Sequence, residues 1–478
     1  MLNRSLQMPQ ETVNETAEKV DEEHAVAPLS EVIAQRPVDP PTDAQRQPDG
    51  APLYQPDRDR DKRQGDESLP LAELVSEPPA TREPTTTRRE QLPSQARPPS
   101  ELLPLSSFAT KLYTISYLIF FAIFGTLARL GLQALTFYPG APIVTGVLWA
   151  NFGGCLLMGF FIEDRNLFRE EWGHPPRTGT QSSDQGGWLK KHKDVKKSIP
   201  LYIGLTTGFC GSFTSFSSFM RDAFLALSND LPDPSSGSRL DRNRGDSFMA
   251  VVAVLTLTVC LSISALYLGA HLALALDPLI PIVPFHFTRN ILDRVVVLLG
   301  WGCWVGAVFM SIWPPKNAWR GEVVFAIVFA PLGCLLRFYL SLILNPRIAY
   351  FPLGTFAVNI IGTGILGMCY DLQHVAGIGA ESRTGWAVSP SGTNRSLFGG
   401  EDPLSSILVS CQVLQGVMDG FCGCATTVST WVAELTSLGR RRFAYQYGGA
   451  SMAVGFGLLV VLMGSVRWGR GFDTPICT

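Results

Sequence analysis

Charge is scarce in this chain, and much of what there is lies outside its long apolar stretches. Charged residues make up 17% of the 478 residues and the formal net charge is −2. So even a balance gives no electrostatic footprint for nucleic acid, and no such partner is expected. Phosphate-binding loops, G-x-S-x-G and H-E-x-x-H are all missing, which leaves neither a nucleotide-driven pump nor a hydrolase with recognisable machinery. Of the six histidines (His24, His174, His192, His271, His286 and His374) none is centred in an apolar run beside a carboxylate. No organic cofactor and no enzymatic activity are expected. Cysteine is sparse, at ten residues without a C-x-x-C. All but Cys477 fall in or at the ends of apolar stretches, so they are expected to be free thiols acting as small buried apolar groups. The N-terminus lacks the short apolar stretch and small-residue cleavage site of a signal peptide.

What is present is sharply partitioned. Residues 1–110 hold 16 of the 34 prolines and almost no apolar run. Such a composition buries too little apolar surface to offset ordering entropy, and a disordered cytoplasmic tail is expected. From Leu112 onward the chain changes character: charge-free stretches run over 112–128, 130–162, 198–220, 247–276, 295–315, 348–370 and 443–466. Two more, 323–344 and 404–433, are interrupted only by Arg337 and Asp419. A bilayer core about 30 Å thick takes roughly 20 helical residues. Nine spans follow: 112–135, 144–162, 199–227, 248–270, 292–313, 322–344, 353–371, 404–435 and 444–466. The basic loops at 163–198 and around Arg440, Arg441 and Arg442 fall on one side if the N-terminus is cytoplasmic, which puts the C-terminus outside.

The apolar part is written twice. FGTLAR (124–129) matches LGCLLR (332–337), and NFGGCLLMG (151–159) matches NIIGTGILG (359–367), both at an offset of 208. GFCGSFTSFSSF (208–219) matches GFCGCATTVSTW (420–431) at an offset of 212. Three blocks in order mark an internal duplication. Each copy holds four spans and one is left between them. An odd helix turns the second copy over, so the expected fold is all-α and polytopic, with two inverted four-helix repeats joined by a single linker transmembrane helix. The units are a tail (1–110), a first unit (111–275), a linker with span five (276–318), a second, inverted unit (319–470) and a short C-terminal tail (471–478).

The repeated blocks carry the chemistry. Glycines and hydroxyls crowded mid-span suit a broken third helix in each repeat, whose freed carbonyls can hold a cation if protein buries them. The same small residues also suit plain helix contacts. Asn151 and Asn359, each inside a span, supply amides, and Ser217, Ser218, Ser429 and Thr430 supply hydroxyls. Neutral donors without a carboxylate ring favour an anion. Phe216 and Phe219, three apart, can meet an anion with their electropositive ring edges. Arg129 and Arg337 are interfacial anchors, pore-mouth charges or structural charges, and Asp222 and Glu434, given the same pore-mouth or structural reading, are candidate partners for them or for a neighbouring helix.

These motifs, with their spacing, resemble the Fluc/CrcB family of fluoride channels, over residues 112–466. The bacterial members are four-span subunits paired antiparallel; a fused two-unit chain with an extra helix resembles the fungal fluoride export proteins. The resemblance implies a plasma-membrane channel that exports fluoride passively and confers fluoride resistance, working as a single chain in the lipid bilayer. A proton-coupled anion transporter is the alternative. It also implies a fluoride path at Asn151, Phe216, Ser217, Ser218 and Phe219 and at Asn359, Ser429, Thr430 and Trp431. A structural sodium ion would be held by the backbone carbonyls of Gly211, Thr214, Gly423 and Thr426. The second half departs from the pattern: Val428 and Trp431 replace the phenylalanines, and Asp419 stands where the first half has Thr207. One pore would then combine Phe216 with Trp431 and the other Val428 with Phe219, and the first is expected to conduct. Deleting residues 1–110 is expected to leave transport intact; flux abolished in a truncated chain that still reaches the membrane would refute this.

Overall fold

The apolar stretches of the sequence become helices, because within a bilayer every backbone donor and acceptor has to find its partner inside the protein. In the computed structural model, the described residues are 107–143, 145–169, 195–232, 243–314, 316, 319–376, 378–380 and 403–477. The expected tail lies outside them except at its last residues, as do parts of the basic loop at 163–198 and of the loop after span three.

In chain order the helices are α1 (Ser107–Thr136), α2 (Val147–Glu163), then α3, which runs through Pro200–Ile203, a wide π-type turn at Gly204–Cys210 and Gly211–Phe213. They continue with α4 (Phe216–Ser228), α5 (Arg244–Ala275), α6 (Asp293–Ile312), and α7 (Phe325–Leu344). Then come α8 (Leu353–Gln373), and α9, comprising Pro403–Gly416, a second wide turn at Val417–Cys422 and Gly423–Ala425. The last two are α10 (Ser429–Ser437) and α11 (Arg441–Gly469). Among the described residues, seven segments are long and apolar enough to cross a membrane, α9 with α10 counting as one. The 17-residue α2 is a shorter apolar helix, and α3 with α4 forms a further broken pair.

Contacts at the segment ends agree with alternating crossings. The chain after α2 meets the chain after α5, where Asn166 Nδ2 donates to the Asp277 carbonyl at 2.6 Å and Val283 N to the Leu167 carbonyl at 3.2 Å. Near the ends of α4 and α11, Arg467 pairs with Asp230. The linker helix α6 packs against α1 and α7 and leaves Leu298, Val305 and Phe309 exposed. Its two tryptophans tie it to both halves: Trp301 Nε1 donates to Ser116 Oγ at 3.1 Å, and Trp304 Nε1 to the Val328 carbonyl at 2.9 Å. Span five is thus both a spacer and a packed element.

The two halves differ in how their second and fourth spans meet. In the first, α2 and α5 touch backbone to backbone: a Cβ added at Gly159 would overlap the Leu266 carbonyl oxygen, and one at Gly269 the Leu156 carbonyl oxygen. In the second, the matched Gly367 on α8 faces side chains rather than backbone, those of Leu459 and Leu462 on α11. Small residues let helices approach in lipid, where packing rather than the hydrophobic effect holds them.

The cysteine expectation needs two corrections. Cys411 and Cys477 form a disulfide with a Cα–Cα distance of 5.8 Å, because the chain folds back onto α9 after α11, a tertiary contact that spacing does not reveal. Cys260 and Cys303 are exposed on α5 and α6 rather than buried. Gly159→Leu is expected to lower the melting temperature of the purified protein, since forcing volume into a tight contact costs about 1–3 kcal/mol or more. Gly457→Leu, at a position with open space, is the control and should change it little.

Candidate ion pathway

Two helix breaks meet in the middle of the molecule. Between α3 and α4, Thr214 (φ −91°, ψ 152°) and Ser215 (φ −143°, ψ 116°) are extended. Between α9 and α10, Thr426 takes nearly the same conformation (φ −93°, ψ 152°). Side chains replace the lost helical bonds. Asn151 Oδ1 accepts from Ser215 N and Asn359 Oδ1 from Thr427 N, each at 2.9 Å. Ser215 Oγ accepts from Ser218 N at 3.2 Å, and Thr427 Oγ1 from Thr430 N at 3.3 Å, as helix N-caps do.

The breaks also cap each other. Thr214 Oγ1 accepts from Val428 N at 3.2 Å and Ser429 N at 3.1 Å, while Thr426 Oγ1 accepts from Ser217 N at 3.0 Å. Residue 214 therefore meets 429 where 217 meets 426, and the two segments cross in opposite directions. Ser429 Oγ reaches the Cys210 carbonyl at 3.1 Å, and Ser217 Oγ the Cys422 carbonyl at 3.4 Å. These two hydroxyls, expected on the ion path, thus hold the crossing together. Ser218 and Thr430 take bonds from Ser215 Oγ (2.9 Å) and Thr427 Oγ1 (3.4 Å) within their own halves.

Diverting those four amides frees four carbonyls. In a continuous helix Ser215 N would bond the Gly211 carbonyl and Ser218 N that of Thr214; Thr427 N and Thr430 N would bond those of Gly423 and Thr426. They are the four oxygens expected to hold a cation, and hard oxygen donors released together at the crossing fit such an ion.

The arginines are placed as structural charges, with acceptors that no sequence signal names. Both are buried, with 1% of Arg129 and 2% of Arg337 exposed, so neither is an interfacial anchor or a pore-mouth charge. Each reaches into the other half. Arg337 donates across to the Thr207 carbonyl at 2.7 Å and, within its own half, to the Cys424 carbonyl at 2.8 Å, and Arg129 donates across to the Asp419 carbonyl. Thr207 and Asp419 lie in the two wide turns, whose i→i+5 pattern disturbs the regular ladder and leaves carbonyls available. Gly211 and Gly423 make room, since a Cβ on either would overlap the guanidinium of Arg337 or Arg129.

The candidate acidic partners sit elsewhere. Asp222 pairs with its neighbour Arg221 at 3.1 Å. Glu434 accepts from Tyr447 Oη and Thr355 Oγ1, both at 2.7 Å, and from Asn345 Nδ2 at 3.3 Å. Of the alternatives considered for Glu434, a neighbouring helix is the one found. Tyr447, Thr355 and Asn345 carried no signal in the sequence, because they lie outside the duplicated blocks.

Three aromatic rings pack together next to the crossing, and two buried donors lack partners. Phe216 packs edge-on against Trp431 with centroids 5.5 Å apart, and Phe219 lies 5.9 Å from Phe216. All three are fully buried. Trp431 Nε1 and Asn151 Nδ2 are buried donors with no hydrogen-bond partner. Ser215 N fixes the orientation of the Asn151 amide, since its Oδ1 must accept there. In the other half, Asn359 Nδ2 is spent on the Thr427 carbonyl at 3.2 Å. Asp419 holds Gln415 Nε2 at 2.6 Å and opens with Arg221 and Asp222 onto a pocket of about 220 Å³ beside the start of α2.

The model of one family, described as CrcB-like protein, Camphor Resistance (CrcB), matches residues 116–270 and 324–465, one stretch in each half. The chain belongs to the CrcB family. Among curated relatives of this CrcB chain is a protein named fluoride export protein 1 of Neurospora crassa, 49% identical over 444 residues, covering 88% of this chain and 78% of the relative. A fluoride export protein 1 of Candida albicans is 34% identical over 357 residues, or 74% of this chain and 79% of the relative. A fluoride-specific ion channel FluC of Geotalea daltonii is 34% identical over 113 residues, 23% of this chain and 67% of the relative. No solved structure matches.

Removing either crossing hydroxyl should loosen the whole centre. Thr214→Val and Thr426→Val are each expected to cost about 1–3 kcal/mol, the usual penalty for leaving buried donors unpaired. Thermal unfolding in detergent measures it, and an unchanged midpoint in both would contradict the capping role.

Proposed function

We propose that this CrcB chain is a fluoride channel of the plasma membrane, with the N-terminus cytoplasmic and the C-terminus outside. The observation that carries the reading is a crossing of two helix breaks built from neutral hydroxyls and amides, beside buried N–H groups of Asn151 and Trp431 that have no protein partner. An unpaired buried donor costs about 1–3 kcal/mol, and a desolvated anion relieves that cost. The relatives' names support fluoride as the ion.

Passive export suffices. A membrane potential that is negative inside drives a monovalent anion outward by ~2.3 kcal/mol per 100 mV, about fifty-fold in concentration. The chain's residues then have only to replace the ion's water and keep the path narrow. A sodium ion, where bound, would neutralise the dipoles of the freed carbonyls of Gly211, Thr214, Gly423 and Thr426.

The working path is proposed to run past Phe216 and Trp431. Their edge-on contact and the free indole N–H support it. The Asp419 carboxylate, which would repel an anion, faces the pocket beside α2.

Fluoride efflux from liposomes clamped with potassium and valinomycin tests the reading. Fast, voltage-driven release without a proton gradient, and none for chloride, is expected. Release only with a proton gradient would make the chain a coupled carrier. In the same assay Phe216→Ile should slow efflux by more than about tenfold, a barrier change of roughly 1.4 kcal/mol. Phe219→Ile should do much less, and equal losses would refute the single path.

A further inference from the structure

The residues after α11 do not trail into solvent. Phe472 is only 2% exposed, packed against Tyr370 and His374 with centroids 5.3 and 5.1 Å away. Asp473 N donates to the His374 carbonyl at 3.1 Å, and Ile476 N to the Gly379 carbonyl at 3.0 Å. Pro475 forms a bridge with Ala380. Gln373 Nε2 lies 3.7 Å from Cys411 Sγ and 3.4 Å from Cys477 Sγ. The non-covalent contacts alone therefore carry Cys477 to the flank of α9, where Cys411 is fully buried.

We propose that Cys411 and Cys477 are joined by a native disulfide on the extracytoplasmic face, fastening the C-terminal segment across the ends of α8, α9 and α11. Their Cα separation of 5.8 Å is the usual one for a disulfide. The other eight cysteines are free. Disulfides persist on the oxidising side of a membrane and are rare in the cytosol. The bond therefore assigns an outward face to this end of the molecule, independently of basic residues. That assignment rests on the orientation proposed above and strengthens it: Arg440, Arg441 and Arg442 lie at the opposite end of the crossing that contains Cys411. The bond forms by thiol–disulfide exchange in the secretory lumen. A carrier disulfide and the two protein thiols become the protein disulfide and a carrier dithiol, so hydrogens and electrons balance.

The experiment counts oxidised cysteines in the full chain and finds the side on which the C-terminus lies. Membranes are denatured with N-ethylmaleimide to block free thiols, then reduced and labelled with a maleimide polymer that retards the protein on a gel. Two labels are expected for the natural sequence and none for Cys411→Ser or Cys477→Ser. A C-terminal epitope should be cleaved by protease on intact cells. No label on the natural sequence would overturn the disulfide, and so would two labels that persist in Cys477→Ser. An epitope cleaved only after permeabilisation would overturn the outward assignment. Fluoride efflux from the same preparation keeps the outcomes apart: label without flux would sink the channel reading and leave the disulfide standing.

Discussion

Two short peptide segments in the membrane interior have to break helix geometry, and each does so only because the other satisfies it. Thr214 caps the helix that starts at Ser429, and Thr426 caps the helix that starts at Phe216. Neither break could sit alone in lipid, where an unpaired amide costs several kcal/mol. The crossing therefore fixes the mutual position of the two halves, and with it α2 and α8, whose asparagines bond the same breaks.

The buried arginines follow from the same constraint. A wide turn in front of each break disturbs the regular ladder, and a charged donor from the other half meets it. Arg129 and Arg337 thus act as cross-braces, each reaching a carbonyl of the opposite turn through the space left by a glycine. A guanidinium suits this work because its charge persists in a low-dielectric site and its fork of donors matches several oxygens at once. The duplicated Gly-x-x-x-Arg and GFCG blocks are therefore two sides of one contact.

The duplication has kept the crossing symmetric while the flanks have diverged. Thr214 and Thr426, Asn151 and Asn359, and Arg129 and Arg337 hold matching roles around the breaks. Away from them, Phe216 pairs with Trp431, and α2 closes onto α5 through Gly159 and Gly269. Reciprocal caps tie the centre to its symmetry, since changing one partner strands the donors of the other.

The sequence by itself determined the all-helical membrane architecture, the duplication and the place of both breaks. Those properties are written in local features: apolar length, an odd helix between two copies, and glycine and hydroxyl residues where a helix would otherwise run on. The tertiary structure alone decided which groups meet. Arg129 and Arg337 read as boundary or structural charges alike because their acceptors are backbone carbonyls nearly 300 and 130 residues away, which carry no signature in side-chain identity. Ser217 and Ser429 read as path-lining hydroxyls, yet they face the opposite helix, because the direction of a hydroxyl depends on the crossing and not on its neighbours in sequence. Glu434 found Tyr447, Thr355 and Asn345, and Cys411 found Cys477, only once the chain had folded back, since a contact between distant segments is set by packing geometry.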